Sequence, residues 1–61
     1  MKLYEKGNAV KVTYDGDELQ NHIGVITKNI DGEYITIDFG HIQKTYNVMC
    51  TVDMTYGIRN N

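Results

Sequence analysis

The chain of 61 residues predicts an all-β domain of five short strands with no helix longer than a turn. Three observations carry that expectation. Eighteen residues are Val, Ile or Thr and six more are Tyr or Phe, whereas Ala and Leu together number three. β-Branched chains are stiff at χ1 and pack well on a pleated surface, and helices normally lean on Ala and Leu. Proline is absent, so any strand can sit inside a sheet without losing a ladder hydrogen bond. The six glycines, at positions 7, 16, 24, 32, 40 and 57, recur with the rhythm of short strands and tight turns.

Residues 9–14 (AVKVTY) alternate with period two: Val10, Val12 and Tyr14 share one face, Lys11 and Thr13 the other. Residues 15–22 (DGDELQNH) are polar apart from Leu19 and read as an exposed loop anchored by that leucine. Residues 23–28 form a second strand with Ile23 and Val25 on one face and Gly24 and Ile26 on the other. Apolar residues on both faces predict a strand covered twice or curled round a corner, with Gly24 at a bulge or bend. Residues 29–33 contain Asp31-Gly32, a pair that tolerates the positive φ of a type I′ hairpin turn. The third strand, 34–39, turns Ile35, Ile37 and Phe39 inward and Tyr34, Thr36 and Asp38 outward. Gly40-His41 marks the next turn.

Residues 44–58 alternate without interruption, with Tyr46, Val48, Cys50, Val52, Met54, Tyr56 and Ile58 on one face. One straight strand of that length would outrun its neighbours, so a bulge or short 3₁₀ turn is expected near 49–51, making two strands of it. The tail 59–61 is polar and expected to fray. No repeat or linker divides the chain, and 1–61 is read as one domain.

A domain this small buries only about 60% of the surface its unfolded chain exposes. The usual staples are missing, since a single cysteine allows no internal disulfide. Five short strands must hide their edges, and at this length the expected solution is a small Src-homology-3-like (SH3-like) barrel. Eight acids against six bases give a net charge of −2 and an isoelectric point near 5.4, which argues against a strong non-specific nucleic-acid binder. No apolar run approaches the roughly 18 residues of a membrane span, and the first six residues lack the apolar stretch of a signal peptide. The expected setting is the cytoplasm.

The segments Lys6-Gly7-Asn8-Ala9-Val10-Lys11-Val12, Ile23-Gly24-Val25-Ile26 and Ile35-Thr36-Ile37-Asp38-Phe39-Gly40 resemble small SH3-like barrels of the KOW and Tudor-like type. The shared pattern is a lysine-glycine entering a Val-x-Val strand, then an x-Gly-x-Ile strand, then an apolar strand ending Asp-Phe-Gly. The resemblance covers roughly residues 6–48 and implies a binding module, whose partners in that broad group include RNA, nucleic-acid machinery and protein tails. This chain departs from the nucleic-acid-binding members, because its 15–22 loop is acidic where phosphate contact calls for bases. In size and composition it is also similar to the small accessory proteins of bacteriophages, which bind and redirect host factors.

Asp15, Asp17 and Glu18 form the densest acidic group and are the leading candidates for contact with a basic protein surface. Their spacing does not fit an EF-hand, which needs glycine sixth and an acid twelfth. His22, His41 and Cys50 are the soft potential metal ligands, at a spacing that matches no zinc pattern. No metal or cofactor is expected. Tyr34, pointing outward, and Met49, opposite Val48 and Cys50, are candidates for an apolar contribution to an interface. With Ile42 and Met54, Met49 suggests an exposed patch, which leaves monomer and homodimer both open. Lys11, Lys28 and Lys44 would serve an alternative nucleic-acid reading if they converged on one face. A third possibility is an assembly role in which an edge strand from 44–58 pairs between copies. No phosphate loop or Ser-His-Asp spacing is present, and a barrel of this size offers little concave pocket. The expectation is therefore a non-catalytic protein-binding module of phage-regulator type, docking through the acidic loop, Tyr34 and Met49.

Overall fold

A computed structural model describes residues 3–55. It contains β1 (Ala9–Val12), β2 (Ile23–Ile30), β3 (Tyr34–Asp38), β4 (Gln43–Asn47), a 3₁₀ turn at Val48–Cys50, and β5 (Thr51–Asp53). All pairings are antiparallel, in the order β4-β3-β2-β1-β5. The expectation of five strands and one short turn is met. Closure into a barrel is not: among the described residues the ladder ends at β4 on one side and β5 on the other. The 3₁₀ turn carries the chain straight from one edge strand to the other, and β5 has three residues, all spent on β1. Expectations for Tyr56, Ile58 and the tail lie outside the described residues.

Alternation places the core on one face of this sheet. Val10, Val12, Ile26, Ile35 and Ile37 are essentially fully buried, and Tyr46 closes the cluster at β4. Burial of each such aliphatic side chain contributes about 1.5–3 kcal/mol. Tyr4, Phe39, Val48 and Cys50 pack around the rim.

β1 ends two residues earlier than the alternation predicts, and Tyr14 is exposed. Its carbonyl instead accepts from the Asp17 amide in the first turn of the loop. The bulge in β2 is at Thr27, between the Ile26↔Ile37 and Lys28↔Thr36 pairs, rather than at Gly24. Gly24 is required for another reason. A Cβ there would lie 2.5 Å from Ile37 Cγ2 and 2.7 Å from the Asp38 carbonyl oxygen. Ile23 and Val25, expected to be covered, are both exposed on the outer face, where they pair with Lys11 and Ala9. At the β2–β3 turn Asp31 and Gly32 both take positive φ, as a type I′ turn requires, and the Gly32 amide donates to Asn29 Oδ1 at 2.7 Å.

The long alternation breaks at 48–50. Asn47 caps the 3₁₀ turn by accepting from the Met49 amide, and Thr51 Oγ1 donates back to the Val48 carbonyl. A 3₁₀ turn repeats every three residues rather than every two, so the chain leaves it with its parity shifted. Thr51 is therefore buried and Val52 is 42% exposed, the reverse of the uninterrupted pattern.

Gly24→Ala is expected to destabilise the domain by at least about 2 kcal/mol, because backbone as well as a side chain opposes the new methyl. Ile37→Ala should cost about 2–5 kcal/mol as a core truncation. Urea unfolding at matched slopes measures both; a Gly24→Ala midpoint equal to wild type would refute the close approach.

Candidate functional site: the acidic loop beside strand β4

The loop leaves β1 and returns to β2 through two backbone bonds at its neck. The Asn21 amide donates to the Val12 carbonyl at 2.7 Å, and the Val12 amide to the His22 carbonyl at 3.0 Å. Inside, successive turns run from Asp17 to Tyr14, Gln20 to Asp17 and His22 to Leu19. Leu19 is buried, as the sequence predicts, and holds the middle of the loop down. Asn21 takes a positive φ, tolerated by Asn in a turn.

Asp17 fastens this loop to the sheet. Its Oδ2 accepts the Tyr46 hydroxyl at 2.7 Å and the Leu19 amide at 2.9 Å. The Tyr46 hydroxyl, then the Leu19 amide, hold the Asp17 carboxyl below its ordinary 3.8, with Lys44 adding a weaker attraction. Burial, reinforced by the neighbouring carboxylate, pushes the Tyr46 hydroxyl up to about 12. Lys44 Nζ lies 5.9 Å from the centre of the Tyr46 ring, within reach of a cation–π contact. Asp17, Tyr46 and Lys44 thus form one group at the side of β4.

The three candidate acids have different roles. Asp17 is half-buried and committed to the fold, whereas Asp15 and Glu18 are exposed. Gln20 braces the tip, receiving the Gly16 amide at 3.3 Å and reaching Asp15 Oδ1 at 3.4 Å. Tyr34 is 45% exposed on the outer face, at the end of β3 opposite Asn47, and Met49 projects from the 3₁₀ turn at 87% exposure. The candidate lysines do not meet. Lys11 and Lys28 lie on the outer face, Lys28 opposite Thr36, while Lys44 pairs with Ile37 in the core-facing register. A shallow depression of about 390 Å³ at the β3–β4 turn, lined by Asp38, Gly40, His41, Ile42 and Gln43, includes no residue of the acidic loop. Among the described residues, no group of three or more His, Cys, Asp or Glu side chains is placed to hold a metal. Nor is any helix there long and apolar enough to cross a membrane.

The Tyr46–Asp17 bond is the feature that reading along the chain does not reveal. Its signal was nevertheless present: Tyr46 alternates with apolar residues on a buried face, and a buried phenol needs a hydrogen-bond partner. The partner lies 29 positions away.

Comparison with protein-family models, with curated proteins and with solved structures found no match to the chain.

Removing the Tyr46 hydroxyl (Tyr46→Phe) should lower stability by about 1 kcal/mol. Asp17→Asn should also destabilise, and the double variant should cost less than the sum of the two, since both break one bond. Additive losses in a thermal-unfolding cycle would show that the two groups act separately. The pH dependence has two ends. Asp17 has a depressed carboxyl, so its contribution is complete above about pH 3.8 and is lost as pH falls through the lower folded value. The raised Tyr46 hydroxyl contributes fully below about pH 10, and that contribution is lost as pH rises towards 12. A phenolate absorbance titration should show a late step near 12 that Tyr46→Phe removes.

Proposed function

We infer that this chain is a non-catalytic protein-binding module that presents its acidic loop to a basic surface on a partner. The observation that carries the reading is the division of labour within the loop. Asp17 spends its charge on Tyr46 and Leu19, and that attachment holds Asp15 and Glu18 outward on a braced frame. A loop already ordered before binding loses less conformational entropy on docking. Charge on an exposed rim chiefly steers encounter and selects partners by sign, in keeping with the chain's net −2. Tyr34 and Met49 supply exposed apolar contact of the kind enriched at protein interfaces.

The five antiparallel strands support the finer reading of an SH3-like domain of the KOW/Tudor-like type, curled rather than closed. Size and composition support a cytoplasmic regulator of phage type acting on a host nucleic-acid-handling protein. The KOW-type nucleic-acid alternative receives less support, because Lys44 lies in the opposite register from Lys11 and Lys28 and sits beside Asp17.

The test is capture from bacterial lysate with tagged protein, with and without nuclease, read by mass spectrometry. Reversing both exposed acids (Asp15→Lys with Glu18→Lys) should reduce the nuclease-resistant partner about tenfold or more while leaving the unfolding midpoint unchanged. Retention undiminished by the reversal would remove the acidic loop from the interface. Loss of every partner on nuclease treatment would transfer the function to nucleic acid.

A further inference from the structure

The register of β4 fixes which of its backbone groups are used. The Phe39 amide donates to the Ile42 carbonyl and the Val48 amide to the Glu33 carbonyl. With the pairs Ile37↔Lys44 and Ile35↔Tyr46 between them, Lys44 and Tyr46 turn their backbone groups toward β3. Gln43, Thr45 and Asn47 therefore turn theirs away. Among the described residues, no backbone bond from another strand reaches the N–H and C=O of Gln43 and Thr45 or the N–H of Asn47. Gln43 and Thr45 are also exposed in their side chains. An open edge of this kind is a template for another strand, and proteins normally block it with proline, a bulge or inward-pointing charge. β4 has no proline, and its one charge, Lys44, is drawn toward the Tyr46 ring.

We propose that β4 pairs antiparallel with β4 of a second copy of this chain about a two-fold axis at Thr45. The strand is self-complementary in that register. Thr45 exchanges backbone bonds with Thr45 of the partner subunit, and the Gln43 carbonyl receives the amide of the partner's Asn47. Lys44 falls opposite the partner's Tyr46, whose hydroxyl is bonded to an aspartate, so a cation meets an aromatic ring and an acid. The reciprocal contact is identical, as an isologous interface requires. Centring the axis one residue earlier would set two lysines face to face, which is unfavourable. The same register brings Met49, 87% exposed, to the end of the joined strand that carries the partner's Ile42, which is 41% exposed. Within one chain these two residues flank β4 at opposite ends. Two copies joined this way share one ten-stranded sheet, with β5 of each copy at its outer margins. The pairing does not involve Asp15 or Glu18 and stands apart from the acidic-loop reading.

Sedimentation velocity of the full chain over a concentration series up to about 1 mM should show a monomer–dimer equilibrium. Thr45→Lys places like charges directly opposite each other at the axis and should weaken self-association about tenfold or more, with unchanged circular dichroism at low concentration. Reversal of Asp15 and Glu18 should leave the equilibrium where it is. A readout that needs no variant is amide exchange: Thr45 and Asn47 should be protected at high concentration and exchange quickly at low concentration. A wild-type chain that stays monomeric throughout overturns the proposal, as does a dimer in which those amides exchange freely or which Thr45→Lys leaves intact.

Discussion

The four residues of β1 hold the two halves of the chain together, and the rest of the sheet depends on them. Ala9, Val10 and Lys11 pair with β2 on one side, while Val10, Lys11 and Val12 pair with β5 on the other. The side chains of Val10 and Val12 are completely buried in the centre of the core. Both ends of the strand also start something else. The acidic loop springs from Val12, and the Thr13 amide reaches the Cys50 carbonyl at the end of the 3₁₀ turn. At the other end the Ala9 carbonyl accepts the Met54 amide, and Thr55 Oγ1 bonds the Ala9 backbone as well. Each of these bonds ties a distant part of the chain to this one strand.

Against that frame, the site is a matter of what each carboxylate is used for. A buried or half-buried charge is tolerated when donors surround it, and Asp17 has two donors on one oxygen. The result is a polar link across the rim of the core that turns a flexible polar stretch into a defined surface. Leu19 adds an apolar anchor next to it, so the loop is held by both kinds of force. Asp15 and Glu18 stay exposed on a loop whose frame is fixed to the sheet through Asp17.

The core lies on one face of an open sheet. Among the described residues the ladder ends at β4 and β5, which leaves the outward backbone groups of β4 without a strand partner and several aliphatic side chains exposed. Ile23, Val25 and Val52 share the outer face with Lys11, whose charge interrupts the apolar surface. β4 carries one charge of its own, Lys44, whose Nζ lies 5.9 Å from the centre of the Tyr46 ring.

The sequence by itself determined the strand content, the order of the elements, the Asp31-Gly32 turn, the anchoring by Leu19, the shared face of Val10 and Val12 and the inward pair Ile35 and Ile37; which face of β2 is buried it left open. Each of these follows from period-two alternation or from the φ preference of one or two residues, which are local properties. Even the break before β5 was legible, as a strand too long for its neighbours. Tertiary structure alone decided the parity after that break, which buries Thr51 and exposes Val52, because an unbroken alternation carries no mark of how many residues the break consumes. It also decided that the sheet stays open, that Gly24 faces Ile37 instead of forming the bulge, and that Lys44 lies apart from Lys11 and Lys28. Above all it decided that Asp17 belongs to Tyr46. Pairings of that kind depend on how distant strands come together, and residue pattern along a single chain carries no record of which side chains meet across the fold.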